Sequence, residues 1–212
     1  MSVTVVSCAY GPRFVGFVPR WAEAVDAMQP RPDKVIVAAD RWVDLWIDGA
    51  ELFEAECSWK HPQPFYYNLA ISRAATEWVW VVDIDDYAKR DGLHGLNMVA
   101  ADVWQMGFDS TDGETYVVPQ WSNEDYLASE RNVYVNGSAF RKEAFDAVGG
   151  YRDLALQDWD LWRRLARAGA SFQSSGRTHF DYVQHDWQTH RSKKMALSNR
   201  PEQLAEMMAI HA

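Results

Sequence analysis

The chain has 212 residues, of which 48% are hydrophobic and 24% charged, and its 21 Lys and Arg against 30 Asp and Glu give a formal net charge of −9. This length suits a single domain over residues 1–212 that buries roughly 70% of its unfolded surface without a disulfide or structural metal. The acidic balance argues against nucleic acid as a partner, and no apolar run reaches the ~20 residues of a membrane helix. Residues 1–6 carry no positive n-region or cleavage site and read as a first strand, not a secretory signal. Cys8 and Cys57 are too few for a disulfide framework or zinc site, so a reducing cytoplasm is the expected location.

Residues 3–8 form a β-branched apolar run that ends at Ala9-Tyr10-Gly11-Pro12, a buried strand followed by a turn. Residues 14–28 carry Phe17, Val18, Trp21, Ala22, Val25 and Met28 at helical spacing, closed by Pro30 and Pro32. Residues 34–39 make a second apolar strand that stops at Asp40. Strand, helix and strand with short links form a βαβ unit, so the sheet is expected to be mainly parallel. Residues 65–75 read as a helix feeding a third buried strand, 78–82, which ends on Asp83-Ile84-Asp85-Asp86. An amphipathic helix is expected over 93–106, with strands at 116–119 and 134–140 on either side of a polar loop. A helix over 142–148 closes on Gly149-Gly150. The helix at 158–168 places Leu161, Trp162 and Leu165 on one side and Arg163, Arg164 and Arg167 on the other. Residues 177–194, rich in His and Asp, read as irregular, and 201–210 as a terminal helix.

In an open α/β sheet the ligand lies outside the carboxyl ends of the strands. Two of the expected strands end there in carboxylates, Asp40 and the Asp83–Asp86 group. A phosphate is accepted beside carboxylates when Mg²⁺ or Mn²⁺ bridges them, which points to a metal–diphosphate site. The plainer reading makes such Asp clusters turns or caps. Gln157-Asp158-Trp159-Asp160 opens a helix, where an acid also serves as a cap or complements the dipole. His179, His185 and His190 lack a helical zinc spacing; one of them could reach the acidic group. The eleven tryptophans are either core or, for a few, the lining of a sugar-binding cleft.

In this order the segments resemble a GT-A glycosyltransferase, most similar to glycosyltransferase family 2, from Val3 to about Arg191. The first strand and Ala9-Tyr10 are similar to the family's first strand and turn, with Gly11 in place of its Asn. KVIVAAD at 34–40 matches the segment whose terminal Asp, here Asp40, contacts the nucleobase. Asn68 stands where the family has the Asn of an Arg-Asn pair, and Tyr67 replaces the Arg. WVWVVDIDD at 78–86 matches the strand and DXD motif, with Asp83 and Asp85 as its acids. The stretch from Gly137 to the Gly149-Gly150-Tyr151 turn, followed by QDWDLWRRL, is similar to the acceptor-side strand and catalytic helix. Gln157 replaces the family's usual Glu there.

The resemblance implies a GT-A (Rossmann-like) α/β/α sandwich with a mainly parallel central sheet. It implies a donor half at 1–110 and an acceptor half at 111–212. Nucleotide-sugar binding is expected at Ala9, Tyr10, Asp40, Asn68, Asp83, Asp85 and Trp159, a Mn²⁺ or Mg²⁺ at Asp85 with His185, and a general base at Asp158. A UDP-type donor, a hydroxyl acceptor and inversion follow from the same likeness. Three alternatives stand beside this reading. One is an inactive nucleotide- or sugar-binding relative, suggested by Gln157. A nucleotidyltransferase is another, although residues 8–13 are a poor match to that class's phosphate loop. A hydrolase using Asp85 and Asp158 as paired carboxylates ranks last.

Overall fold

The computed structural model describes residues 1–41, 47–129 and 131–185, with Pro201, Glu202, Ala205, Glu206 and Ala209 beyond them. Its strands are β1 (Val3–Ala9), β2 (Lys34–Asp40), β3 (Glu51–Ala55), β4 (Trp78–Val81), β5 (Tyr87–Ala88), β6 (Val103–Ser110), β7 (Thr115–Tyr116), β8 (Ala139–Arg141) and β9 (Phe172–Tyr182). The helices are α1 (Val18–Asp26), α2 (Pro62–Ser72), α3 (Asn123–Ala128), α4 (Lys142–Ala147) and α5 (Gln157–Arg167), with 3₁₀ turns at Pro12–Phe17 and Leu96–Met98. One sheet runs in the order β3-β2-β1-β4-β8-β6-β9-β5, and β7 pairs with β6. The β3-β2-β1-β4 wing is parallel, as is the β6–β9 pair, while β8 joins the two antiparallel to β4 and β6.

Every residue of β1 and β4 is buried, as strands covered on both faces require. Side chains alternate between two cores. Val3, Val5, Trp78 and Trp80 face α1 through Trp21 and Val25, whereas Val6, Cys8, Val79 and Val81 face α2 and α5 through Tyr66, Ile71, Leu161 and Trp162. This is the expected three-layer arrangement, held by apolar burial on each side of the sheet.

Several local expectations are corrected. The helix expected at 93–106 is a 3₁₀ turn followed by β6. Gly92 and the left-handed Gly95 interrupt helical continuity, and Val103, Trp104 and Met106 bury alternate faces of a strand instead. The stretch from 177 is not irregular from its start: it continues β9 to Tyr182, parallel to β6, and residues 186–194 lie outside the described residues. Only Ala139 and Phe140 of the strand expected at 134–140 pair, as part of β8, and of the strand at 116–119 only Tyr116 pairs, in β7. β3, unread in the sequence, covers the edge of β2, with Lys34 paired to Glu51 at 2.8 Å. The described residues of 201–210 are helical.

Arg163 and Arg164 are buried, not solvated as their helix face suggested. Arg163 donates to the Leu127 and Ser129 carbonyls at 3.1 and 3.2 Å. Arg164 donates to Asp160, Val148 O and Gly150 O. Of the eight tryptophans among the described residues six are buried, which makes the core reading right for most of them; only Trp59 and Trp121 keep partial exposure. Among the described residues no helix is long and apolar enough to cross a membrane. Both cysteines are free.

Candidate active site

Parallel register aligns the carboxyl ends of β1, β2 and β4. Ala9 pairs with Ala39, and Val6 with Val81, so Tyr10, Asp40 and Asp83 emerge at one edge. Ala9 is fully buried. Tyr10 is half-buried, its ring parallel to that of Tyr66 at 6.2 Å. Asp40 ends β2 beside Ala55 of β3. Two bonds fix the chain just before the acidic group: Trp21 Nε1 donates to Val82 O at 3.3 Å, and Val82 N donates to Val6 O at 3.0 Å.

The three acids that follow have separate tasks. Asp83 accepts from Gln63 Nε2 at 3.4 Å and from Asn136 Nδ2 at 3.2 Å, both on Oδ1. Burial, then the fields of Asp85 and Asp158, pushes its carboxyl up to about 8, against the pull of those two amides. Asp85 lies 3.4 Å from His185 Nε2. Burial raises its carboxyl as well, while His185 and the nearby Arg13 oppose that rise. Asp86 is a structural staple: it is buried and accepts from Val183 N at 2.9 Å. That bond brings the end of β9, and so His185, back over the strand end.

Asp158 arrives from the other side of the sheet. It is half-buried at the second residue of α5 and accepts from Asn132 Nδ2 at 2.9 Å; Asn132 in turn accepts from the Tyr126 hydroxyl at 3.3 Å. The N-cap position of α5 is Leu156, which makes no side-chain cap, and Asp158 and Asp160 are the acids of the first turn, where they complement the helix dipole. Asp160 is fully buried and bonded to Arg164 at 2.8 Å. Asp158 is near enough to Asp83 for its charge to help raise the Asp83 carboxyl.

Trp159 and Asn68 are both engaged within the fold. Trp159 is 3% exposed and packs in the core with Trp162, so it presents no ring face to a base or sugar. With Asp158 toward the edge, the next residue turns ~100° away and inward. Asn68 spends both polar atoms on Tyr151, donating to its carbonyl at 2.8 Å and accepting from its N–H at 2.9 Å. It anchors the glycine turn, where Gly149 and Gly150 take φ of 77° and 71°. His179 is buried against Gly92 O at 2.6 Å, far from a ligand role, and desolvation lowers its ring to about 4. His190 lies outside the described residues.

The donor set suits a hard divalent cation. Buried carboxylates that repel one another gain from a shared positive ion, and oxygen with one imidazole is acceptable to Mn²⁺ or Mg²⁺. Among the described residues no three His, Cys, Asp or Glu gather as a complete ligand set. Asp85 and His185 would supply two positions, leaving the rest to phosphate oxygens and water, the usual habit of such ions. Sequence reasoning missed Gln63, Asn132, Asn136, Tyr151 and Arg13. Isolated amides carry no spacing signal, and their partners lie up to 94 residues away.

No protein-family model matches the chain, and no curated protein does either. Solved structures do. TarS 1-349 of S. aureus in complex with UDP-GlcNAc superposes with a TM-score of 0.70 at 15% identity, over 98% of this chain and 66% of that one. The same protein in complex with UDP gives 0.67 at 18% identity, over 88% and 61%. The mannosyltransferase PcManGT of Pyrobaculum calidifontis, in complex with GDP-Man and Mn²⁺, gives 0.66 at 17% identity, over 99% and 63%. The chain thus spans between 61% and 66% of the length of these structures. The fold is that of the GT-A glycosyltransferases.

Proposed function

We propose that this GT-A chain transfers a sugar from a nucleotide-sugar donor to an acceptor hydroxyl, with inversion and with a divalent cation. The observation that carries the reading is that Asp83 and Asp85 follow β4 at the carboxyl edge of the parallel strands, with Asp158, at the start of α5, near enough for its charge to help raise the Asp83 carboxyl. Two solved structures of like fold hold nucleotide sugars, which supports the substrate class.

Residues 1–110 form the donor half in this reading and 111–212 the acceptor half. Ala9 and Tyr10 border the nucleotide. Asp40 accepts a hydrogen bond from a base imide N–H, which favours uracil over adenine. Asp83 faces the ribose and diphosphate. Asp85, with His185, would hold Mn²⁺ or Mg²⁺, whose charge offsets that building on the leaving diphosphate. Asp158 takes the proton of the acceptor hydroxyl as its oxygen bonds to C1. The bond from C1 to the diphosphate oxygen breaks on the opposite face, and the nucleoside diphosphate departs with the electron pair.

A panel of nucleotide sugars, scored by thermal shift with and without Mn²⁺ and then by release of nucleoside diphosphate, tests this reading. A UDP sugar is expected to stabilise the protein and turn over when an acceptor is present. Strict preference for an adenine nucleotide would remove the Asp40 assignment. Binding without turnover against any acceptor would favour a binding module, the reading that Gln157 raises.

A further inference from the structure

The stretch between α3 and β8 carries two half-buried asparagines, Asn132 and Asn136, and each stands between a buried tyrosine and a carboxyl group of the site. Asn132 Nδ2 donates to Asp158 Oδ2 at 2.9 Å, while the Tyr126 hydroxyl donates to Asn132 Oδ1 at 3.3 Å. Asn136 Nδ2 donates to Asp83 Oδ1 at 3.2 Å, while the Tyr151 hydroxyl donates to Asn136 Oδ1 at 2.9 Å. The same tyrosine–asparagine–aspartate run thus occurs twice. One ends on the start of α5 and the other on the end of β4.

Each run has a fixed sense. An asparagine carbonyl only accepts and its NH₂ only donates. Tyr126 is fully buried and Tyr151 is 2% exposed. Burial first, and then the field of Asp158, raises both phenols, so both hydroxyls keep their protons and donate. Each asparagine carbonyl is therefore engaged from behind, which turns its NH₂ toward the carboxyl oxygen. The chain between the two amides is itself pinned. The Val133 carbonyl accepts from the Tyr116 hydroxyl at 2.7 Å. The Tyr134 ring packs against Tyr126 at 4.3 Å and against Phe172 at 5.0 Å.

We infer that Asn132 and Asn136 are paired positioning residues, one short stretch of chain aiming both the proposed base Asp158 and the donor-side Asp83. The pair stands on geometry alone; its consequence for catalysis rests on the nucleotide-sugar reading.

Measurements on the full chain test it. In side-chain amide spectra of the free protein, Asp158→Asn is expected to move the Asn132 NH₂ signals and Asp83→Asn those of Asn136. Carboxyl-carbon NMR then follows the titration of Asp158. Asn132→Leu removes a donor to its charged form and is expected to raise its proton affinity about tenfold, the worth of one hydrogen bond to a charged group. Among the described residues, Asp83 across the edge, Tyr126 of α3 and Tyr151 of the glycine turn are the titratable groups within its field, and this change leaves all three in place. Tyr134→Phe keeps the ring packing and removes a hydroxyl with no hydrogen-bond partner among the described residues, so it should leave the titration unmoved. In titrations with UDP and with GDP in Mn²⁺, Asn136→Leu is expected to bind about tenfold more weakly, and Asn132→Leu as the wild type does. With a nucleotide sugar that turns over, Asn132→Leu should lower kcat and keep the donor KM. Should Asn132→Leu not fold, Tyr126→Phe loosens the same amide and is read in its place, with a rise of about threefold, the worth of a neutral hydrogen bond. Unmoved amide signals, an unmoved Asp158 titration, or an equal loss of nucleotide affinity in both asparagine variants would overturn the inference. A wild type that binds neither nucleotide defeats the transferase reading instead, and the spectra of the free protein still decide the pair.

Discussion

The two wings of the sheet are built on different terms. In the β2-β1-β4 wing, parallel strands are buried along nearly their whole length and end together in Tyr10, Asp40 and Asp83. In the β8-β6-β9 wing, β8 has three residues, β6 shifts register after Gln105, and β9 buries only Phe172, His179 and Phe180. The first wing is stabilised by continuous apolar burial, so each strand declares itself locally. The second depends on particular contacts: Ser138 donating to Gln105 at 2.8 Å, Trp80 Nε1 donating to Gly137 O at 3.0 Å, and Gly107 passing under β7. The proposed donor contacts sit on the first wing. The proposed base comes from α5, whose place is set by buried arginines and by the network of the second.

The largest effect expected across this divide is on turnover. Asp158→Asn should lower kcat by about 10²–10⁴-fold, the range for a positioned proton acceptor, with donor affinity kept because the proposed nucleotide contacts lie on the other wing. Steady-state kinetics with a nucleotide titration would check it, and an unchanged rate would move the base elsewhere. Asp85→Ala attacks the first wing in the reverse sense. Nucleotide affinity and its dependence on Mn²⁺ should both fall, and calorimetry showing equally tight binding to wild type in EDTA would refute the metal site.

Stability separates the wings next. A Cβ at Gly107 would stand 2.2 Å from the Tyr116 carbonyl oxygen and 2.9 Å from that of Arg177. Backbone cannot yield as a side-chain tip does, so Gly107→Ala is expected to cost about 3 kcal/mol, the upper part of the usual overpacking range. Urea unfolding would measure it; a loss below the ~0.5 kcal/mol of an ordinary surface change would show that β6–β7 pairing is loose.

The smallest effect is the pH dependence that His179 adds from the second wing. His179 has its ring lowered to about 4 by burial, against ~6.5 when unfolded. Between those values the unfolded chain binds the extra proton at this group, so the contribution of His179 to stability rises with pH across the window. It is fully present above about 6.5 and is lost as pH falls toward 4. At pH 5 the loss from this group is about 2 kcal/mol. The raised carboxyls of Asp83, Asp85 and Asp86 act in the opposite sense, so His179→Gln should make the slope of stability against pH between about 4 and 6.5 more negative than in the wild type, and an unchanged slope would exclude a contribution from His179.

The sequence by itself determined the first wing and its acids, because strands buried on both faces leave unbroken apolar runs and their ends are marked by Asp40 and Asp83. It also determined the helix that carries Asp158, from its apolar spacing and the glycine pair before it. It misread 93–106, where Leu93, Leu96 and Val99 satisfy a helical period while Val103 to Met106 satisfy a strand, and only pairing with β8 and β9 selects the strand. The tertiary structure alone decided that Trp159 turns into the core, that Asn68 anchors a turn, and that Arg164 is buried on Asp160. It alone brought Gln63, Asn136, Tyr151 and Gln157 around Asp83. The reason is physical: apolar burial follows a period that a short window reveals, whereas a polar side chain's task is set by whichever partner the fold places within about 3 Å, and around Asp83 those partners lie 15 to 94 residues apart.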